Sequence, residues 1–354
     1  MSSESGRAGF LSECPLPVAQ RDAIQLAHGS GGKLSAQLIE RLFLPAFRDP
    51  ALAVLDDQAI VSIAGSRIAF TTDSYVVTPI FFPGGDIATL AVNGTVNDLA
   101  VGGARPLFLS LAFILEEGFA IADLERVVDS ARRAAEHAGV RIVTGDTKVV
   151  NHGSGDQIFI NTSGIGVVPA GIDLSSRNVR PGDAIVLSGA IGDHGVAILS
   201  QREGLELGGD LASDCAPVHE LVAAALESFP GIHAMRDPTR GGVAATLVEI
   251  ASRQRLGVEI DESAIPVRDT VRGACEILGL DPLLVANEGK VVAFVPESGA
   301  ERVVDAMRAH PLGRDARRIG RVTADHPGLV VLRTPVGGER ILDLPFGEAL
   351  PRIC

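Results

Sequence analysis

Residues 67–101 read RIAFTTDSYVVTPIFFPGGDIATLAVNGTVNDLAV. The first eleven alternate and are rich in β-branched residues, the period of a strand. From Ile87 to Val101 the pattern turns helical. Each element carries one acid in a polar break of an apolar segment, Asp73 in the strand and Asp98 in the helix. Upstream, AIVSIAG (59–65) is a second strand. Further upstream, IQLAHGSGGKLSAQLIERLFLPAF (24–47) is a glycine-rich turn opening a helix, with Leu34, Leu38, Leu42 and Phe43 on one face. Downstream, Leu124, Val127, Val128, Ala131, Ala134, Ala135 and Ala138 recur at helical spacing, and Gly139 stops the helix. VRIVTGDTKVV (140–150) and QIFINTSGIGVV (157–168) return to strand. The first half is therefore α+β.

Pro169 to Gly182 marks a change. RPGDAIVLSG (180–189) is a turn leading into the first strand of a new domain. That half should hold strands at Ala184–Leu187, Gly257–Ile260 and Val291–Phe294. Helices are expected at Val218–Ser228, Val243–Ser252, Val271–Leu278 and Ala300–Ala309. The expected division is a flexible extension over 1–24, a first domain over 25–170, an α/β domain over 171–335 and a mobile tail over 336–354. In the tail, Pro345 and Pro351 oppose helix. Extended, the steps from Pro345 to Cys354 reach roughly 30 Å, enough to enter a neighbouring pocket.

The chain has 31 basic and 44 acidic residues in 354, a formal charge of -13, which disfavours nucleic acid and anionic membrane as partners. With no Trp and one Tyr, base stacking has little to work with. No apolar h-region precedes Gln25, and the stretch around Leu107–Leu115 is too short to span a bilayer. Cys14, Cys215, Cys275 and Cys354 are scattered and form no CxxC pair, which fits reduced thiols and a cytoplasmic location.

Candidate chemistry concentrates in a few places. Gly29, Gly31 and Gly32 precede a helix, a setting that suits an anion but equally a plain loop. The spacing to Lys33 is wrong for a Walker A loop. Asp57, Asp73, Asp98 and Asp146 sit at strand ends or polar breaks in apolar runs; singly each reads as a cap or turn. Together they suit a divalent cation, because converging carboxylates need one. Lys148 and Glu288 lie in strand-flanking runs and read as surface charges. RDPTRGGV (236–243) reads as a helix start. His28, His152 and His194 neighbour glycines in loops, and no HxxxH pair points to zinc. Cys354, last on a proline-punctuated arm, is either an incidental thiol or a carrier.

IQLAHGSGGK, TDSYVVTPIFFPGGDI, GTVNDLAVGGARP, FILEEG, IVTGDTKVV, DHGVAIL, DPTRGGV, ANEGK and LPRIC occur in that order from Ile24 to the end. Together they resemble the HypE hydrogenase-maturation family, in the superfamily of aminoimidazole ribonucleotide synthetase and selenophosphate synthetase. The resemblance implies an N-terminal synthetase-like domain whose strands join a partner's in a dimeric β-barrel, a C-terminal α/β sandwich domain and a mobile tail. It implies ATP and Mg2+ held by Asp57, Asp73, Asn97, Asp98, Asp146, Gly31 and Gly32, with the four aspartates as metal ligands. Cys354 would accept a carbamoyl group from the carbamoyltransferase HypF. Glu288 and Lys148 would serve its ATP-dependent dehydration to a thiocyanate, and a HypC–HypD complex would receive the cyanide. The alternatives are another ATP-using synthetase or kinase of the superfamily, or a carrier that performs no chemistry.

Overall fold

The computed structural model describes residues 23–29, 31–205, 211–344 and 353; Cys354 lies outside them. After the glycine turn come α1 (Lys33–Leu38) and, beyond a π-helical turn, α2 (Leu44–Phe47). The described residues cover only part of the apolar face expected here: Leu34 and Leu38 are half-buried, whereas Leu42 and Phe43 are exposed. Then follow β1 (Ala59–Ile63), β2 (Ser66–Tyr75), the short pair β3 (Phe81–Phe82) and β4 (Gly85–Asp86), α3 (Ile87–Val101), β5 (Arg105–Glu116), α4 (Ile121–His137), β6 (Arg141–Val150) and β7 (Ile158–Val167). The strands form an open sheet in the order β1-β2-β7-β5-β6, antiparallel except for the β5–β6 pair. Strand β5, between β7 and β6, was not expected from the sequence. PLFLSLAFILE has no apolar–polar alternation, because its outward face carries Phe108, Ala112 and Ile114 opposite the inward Leu109, Leu111 and Leu115.

The second domain contains β8 (Asp183–Leu187), α5 (Asp193–Glu203), α6 (His219–Ser228), β9 (Ala234–Arg236), α7 (Gly242–Gln254), β10 (Gly257–Asp261), α8 (Asp269–Leu278), β11 (Val292–Pro296), α9 (Ala300–Ala309), β12 (Arg317–Thr323), β13 (Val330–Arg333) and β14 (Glu339–Leu342). Its sheet runs β14-β13-β10-β12-β8-β11-β9. Alternation along the strands divides the core into two layers. Ile185, Leu187, Val292 and Phe294 pack with Val243 and Leu247 of α7, while Val186, Ala293 and Val295 pack with Leu221 of α6 and Val303 of α9. Helices thus cover both faces. The sequence analysis missed α5, whose first eight residues are all buried and so carry little amphipathic signal. Glu339–Leu342, placed above in the tail, form the edge strand β14 against β13. Near the chain end, Ile353 is buried in the first domain's core.

The helix α3 organises both domains. Asp86 caps it by accepting from the amides of Ala88 (3.0 Å) and Thr89 (2.9 Å). All its residues except Thr89 are buried. It packs on β2, β7 and β5, on α4, and on α6 of the second domain. Gly94, mid-helix, costs helix propensity, but a Cβ there would fall on the Tyr75 hydroxyl. A Gly94→Ala protein gains in propensity yet must displace Tyr75. We expect a net loss of about 1–3 kcal/mol in chemical denaturation; a stabilised variant would contradict this packing.

Candidate active site

A cavity of about 150 Å³ lies where β2 and α3 meet loops of the second domain. Asp73, Ser74 and Tyr75 come from β2, Gly94 and Asp98 from α3, and Asp57 from the turn before β1. Asp237, Thr239 and Arg240 come from the loop between β9 and α7, and Glu288 from the loop before β11. Local periodicity explains the placement. Thr71, Asp73 and Tyr75 are two residues apart and share the inward face of β2. Gly94 and Asp98 are four apart and stack on one face of α3.

Carboxylate oxygens of Asp57, Asp98 and Asp237 all lie within 4.8 Å of one another. Burial pushes Asp57 up to about 6, against its ion pair with Arg236 at 2.6 Å. Burial, then neighbouring carboxylates, hold Asp98 and Asp237 well above the ordinary range. Glu288 is raised for the same reasons, chiefly burial and then Asp237, and its Oε1 is buried without a hydrogen-bond partner. Thr71 donates to Asp98 at 2.7 Å, and the Tyr75 hydroxyl to Asp73 at 3.2 Å. Burial and Asp73 keep the Tyr75 phenol protonated, hence a donor. Three clustered hard oxygens, plus an orphaned carboxylate atom, fit an oxygen-seeking cation such as Mg2+.

The chain matches the N-terminal domain of the AIR synthase related protein family over residues 55–168 and its C-terminal domain over 180–332. The carbamoyl dehydratase HypE of Azotobacter vinelandii is 55% identical over 332 residues, 94% of this chain and 97% of that protein. The chain belongs to the HypE family of carbamoyl dehydratases. Among solved structures, HypE in a HypE–HypF complex superposes with a TM-score of 0.83 at 48% identity, covering 87% of this chain and 99% of that one. HypE in complex with ATP gives 0.79 at 50% identity, covering 94% and 100%.

Of the residues that the HypE resemblance singled out, Asp57, Asp73, Asp98 and Glu288 line the cavity. Asn97 does not. Its amide nitrogen donates to the carbonyls of Ala216 (3.1 Å) and Glu288 (3.3 Å), and its oxygen accepts from the Val218 amide at 2.8 Å. It is a strut that fixes Glu288. Gly31 packs against Arg240, whose Nη1 donates to the Gly29 carbonyl at 2.6 Å, so the glycine turn adjoins the cavity through that arginine. Asp146 and Lys148 pair with each other at 2.9 Å on exposed β6. Asp146 registers with Ala112, and Ala112 with Asn161, which opposes Ser74 rather than Asp73. Opposed residues share a face, so Asp146 stands on the outer face, three strands from Asp73. Lys148 registers with exposed Ile114 on that same face. Cys354 falls outside the described residues.

Sequence reasoning missed Asp237, Arg240 and Tyr75. RDPTRGGV was read as a helix start, although Asp237 repeats the placement of the other acids, directly after a strand. His194, expected in a loop, is the second residue of α5 and fully buried.

The raised carboxyls carry a sign that can be tested. A group whose folded pKa is raised stabilises the fold below its unfolded value, about 4, and loses that contribution as pH rises through the folded value. With chelator present, stability to urea should therefore fall as pH rises from about 4 through 6, where Asp57 ionises, and further above it. Mg2+ should restore stability at pH 7.5, and Asp98→Asn should flatten the decline. A wild-type profile that is flat and indifferent to Mg2+ would contradict the cluster's electrostatics.

Proposed function

We propose that this protein uses ATP to dehydrate an S-carbamoyl group on its own Cys354 to an S-cyano group, the precursor of the cyanide ligand on the iron of a [NiFe]-hydrogenase. The observation that carries the reading is one cavity lined by both a cation-suited aspartate cluster and Glu288. A carrier that performs no chemistry has no use for such a cluster. The ATP complex and the HypF complex of its relatives support the same reading.

Asp57, Asp98 and Asp237 would hold Mg2+, with Asp73 beside them. Bound there, Mg2+ would neutralise phosphate charge during phosphoryl transfer. Arg240 places a guanidinium at the rim, next to the glycine turn. The amide oxygen of Cys-S-C(=O)NH2 is phosphorylated, giving ADP and releasing one N–H proton. Glu288 takes the second N–H proton as the C–O bond breaks, leaving Cys-S-C≡N and phosphate. A useful base must be ionised, and neighbouring carboxylates help to keep Glu288 protonated. Compensating Asp237 and Asp73 lowers that proton affinity, which couples the base to the loaded site.

We further propose a homodimer. Phe70, Ile114 and Ile165 are exposed on the outer sheet face, and Val143 and Val149 on edge strand β6. A second copy that closes a barrel would cover both. Asp146 and Lys148 belong to this surface, so the reading assigns their part in the reaction to the dimer. HypF is proposed as carbamoyl donor and a HypC–HypD complex as cyanide acceptor. The tail moves between these partners and the cavity. The location is the cytoplasm; among the described residues no helix is long and apolar enough to cross a membrane.

Two measurements test these statements. Mass analysis of the C-terminal peptide after incubation with HypF, carbamoyl phosphate and Mg-ATP should find an S-cyano group on Cys354. Glu288→Gln should stop at the carbamoyl stage, with roughly 10²–10⁴ lost in single-turnover rate and ATP still bound. Wild-type conversion by that variant would remove Glu288 as the base. Separately, sedimentation at micromolar concentration should give a dimer that Ile114→Arg dissociates; a wild-type monomer that binds ATP normally would remove the dimer.

A further inference from the structure

We infer that His194 is a positioning residue: with Ser213 it forms a latch that seats the penultimate residue, Ile353, and thereby sets where the terminal thiol is delivered. The inference rests on the dehydratase reading for its purpose but not for its geometry. His194 is fully buried, and both ring nitrogens are engaged. Nε2 lies 2.9 Å from the Ile353 carbonyl oxygen, and Nδ1 lies 2.7 Å from the Ser213 hydroxyl. A carbonyl can only accept, so Nε2 carries the proton and Nδ1 accepts. The Ser213 oxygen in turn accepts from the Cys215 amide at 3.1 Å. The donors therefore run in one direction, from Cys215 N–H through Ser213 and His194 to Ile353. Burial holds the imidazole below its ordinary range, against Asp214 and the Ile353 hydrogen bond, and so favours the neutral ring this order requires.

The rest of the seat is apolar. Phe82 meets the imidazole edge-on, with centroids 5.6 Å apart. Ile353 is 3% exposed and shares one apolar cluster with Phe82, Ile198 and Ala286. Without the tail carbonyl, His194 Nε2–H would be a buried donor in need of water. The contact is thus favourable but replaceable, as a releasable tail requires.

The same short segment also fixes Glu288. Asp214 accepts from the Glu288 amide at 3.1 Å and pairs with Lys290 at 2.8 Å, and the Ala216 amide donates to the Glu288 carbonyl at 3.3 Å. Gly289 packs so closely that a Cβ would strike the Asp214 carbonyl. Seat and base are therefore built on one rigid piece of chain. Successive Cα atoms are about 3.8 Å apart, so a seated Ile353 confines the start of the next residue to that radius.

The test uses full-length protein without ATP, timing N-ethylmaleimide addition to Cys354 by mass of the C-terminal peptide. Buried Cys275 serves as internal reference. His194→Leu, which has neither donor nor acceptor, should speed Cys354 alkylation roughly tenfold. It should also slow single-turnover conversion of carbamoylated protein about 10- to 100-fold with ATP binding intact. His194→Gln keeps one donor and one acceptor and should stay near wild type in both. Ile353→Gly, which leaves His194 in place, should reproduce the faster alkylation. Equal behaviour of His194→Leu and His194→Gln would reduce His194 to packing. Unchanged Cys354 alkylation in His194→Leu and Ile353→Gly proteins that bind ATP would overturn the latch. Failure of wild-type protein to form S-cyano Cys354 would instead count against the dehydratase reading, since alkylation does not depend on it.

Discussion

Like charges forced together out of water govern this structure. Asp57, Asp98 and Asp237 come from three separate parts of the chain and meet within a few ångströms. Like-charged groups in so little water repel unless protonated or neutralised by a cation. The surrounding structure supplies partial compensation. Arg236 pairs with Asp57 and approaches Glu249, which also meets Arg253, and both arginines reach the Leu55 carbonyl. That cluster ties the turn before β1 to β9 and α7, so the first domain's metal-suited acid is held by the second domain's cations.

The other half of the arrangement is the wholly buried helix α3. Two of its buried polar residues hold the site together, since a buried polar group without a partner is costly. Asn97 binds the loops around Ala216 and Glu288, Asp98 enters the cavity, and Gly94 makes room for Tyr75. One helix thus sets the carboxylate cluster and the base in a common frame. Its contacts with α6 couple that frame to the interdomain packing.

What could be read from the sequence followed from how residues meet water. Half-buried elements announced themselves: α4, with Val127, Ala131 and Ala134 inward, and β2, with Thr71 and Tyr75 inward, were found from periodicity. Two elements gave no clear period: α5, whose first eight residues are all buried, and β5, whose exposed face is apolar at Ile114 just as its buried face is at Leu109, Leu111 and Leu115. Asp57, Asp73 and Asp98 were found because acids interrupt apolar runs. Asp237 was overlooked because Pro238 and two glycines beside it look like ordinary turn chemistry. No local signal could reveal that Asp146 and Asp73 face opposite sides of one sheet, because that depends on strand register. His194 was unreadable for a related reason: its partner Ile353 lies 159 residues away.

The immersion of α3 also bears on motion. Proteins open in cooperative units, and the segments with most buried contacts open only when the whole domain does. Because α3 is buried along nearly its whole length and caps onto Asp86, its backbone amides belong to the slowest-exchanging class of such a protein. The floor of the cavity therefore cannot breathe to admit a ligand. Gating falls instead to the rim, where Arg240 meets the glycine turn and the residues leading into that turn are largely exposed.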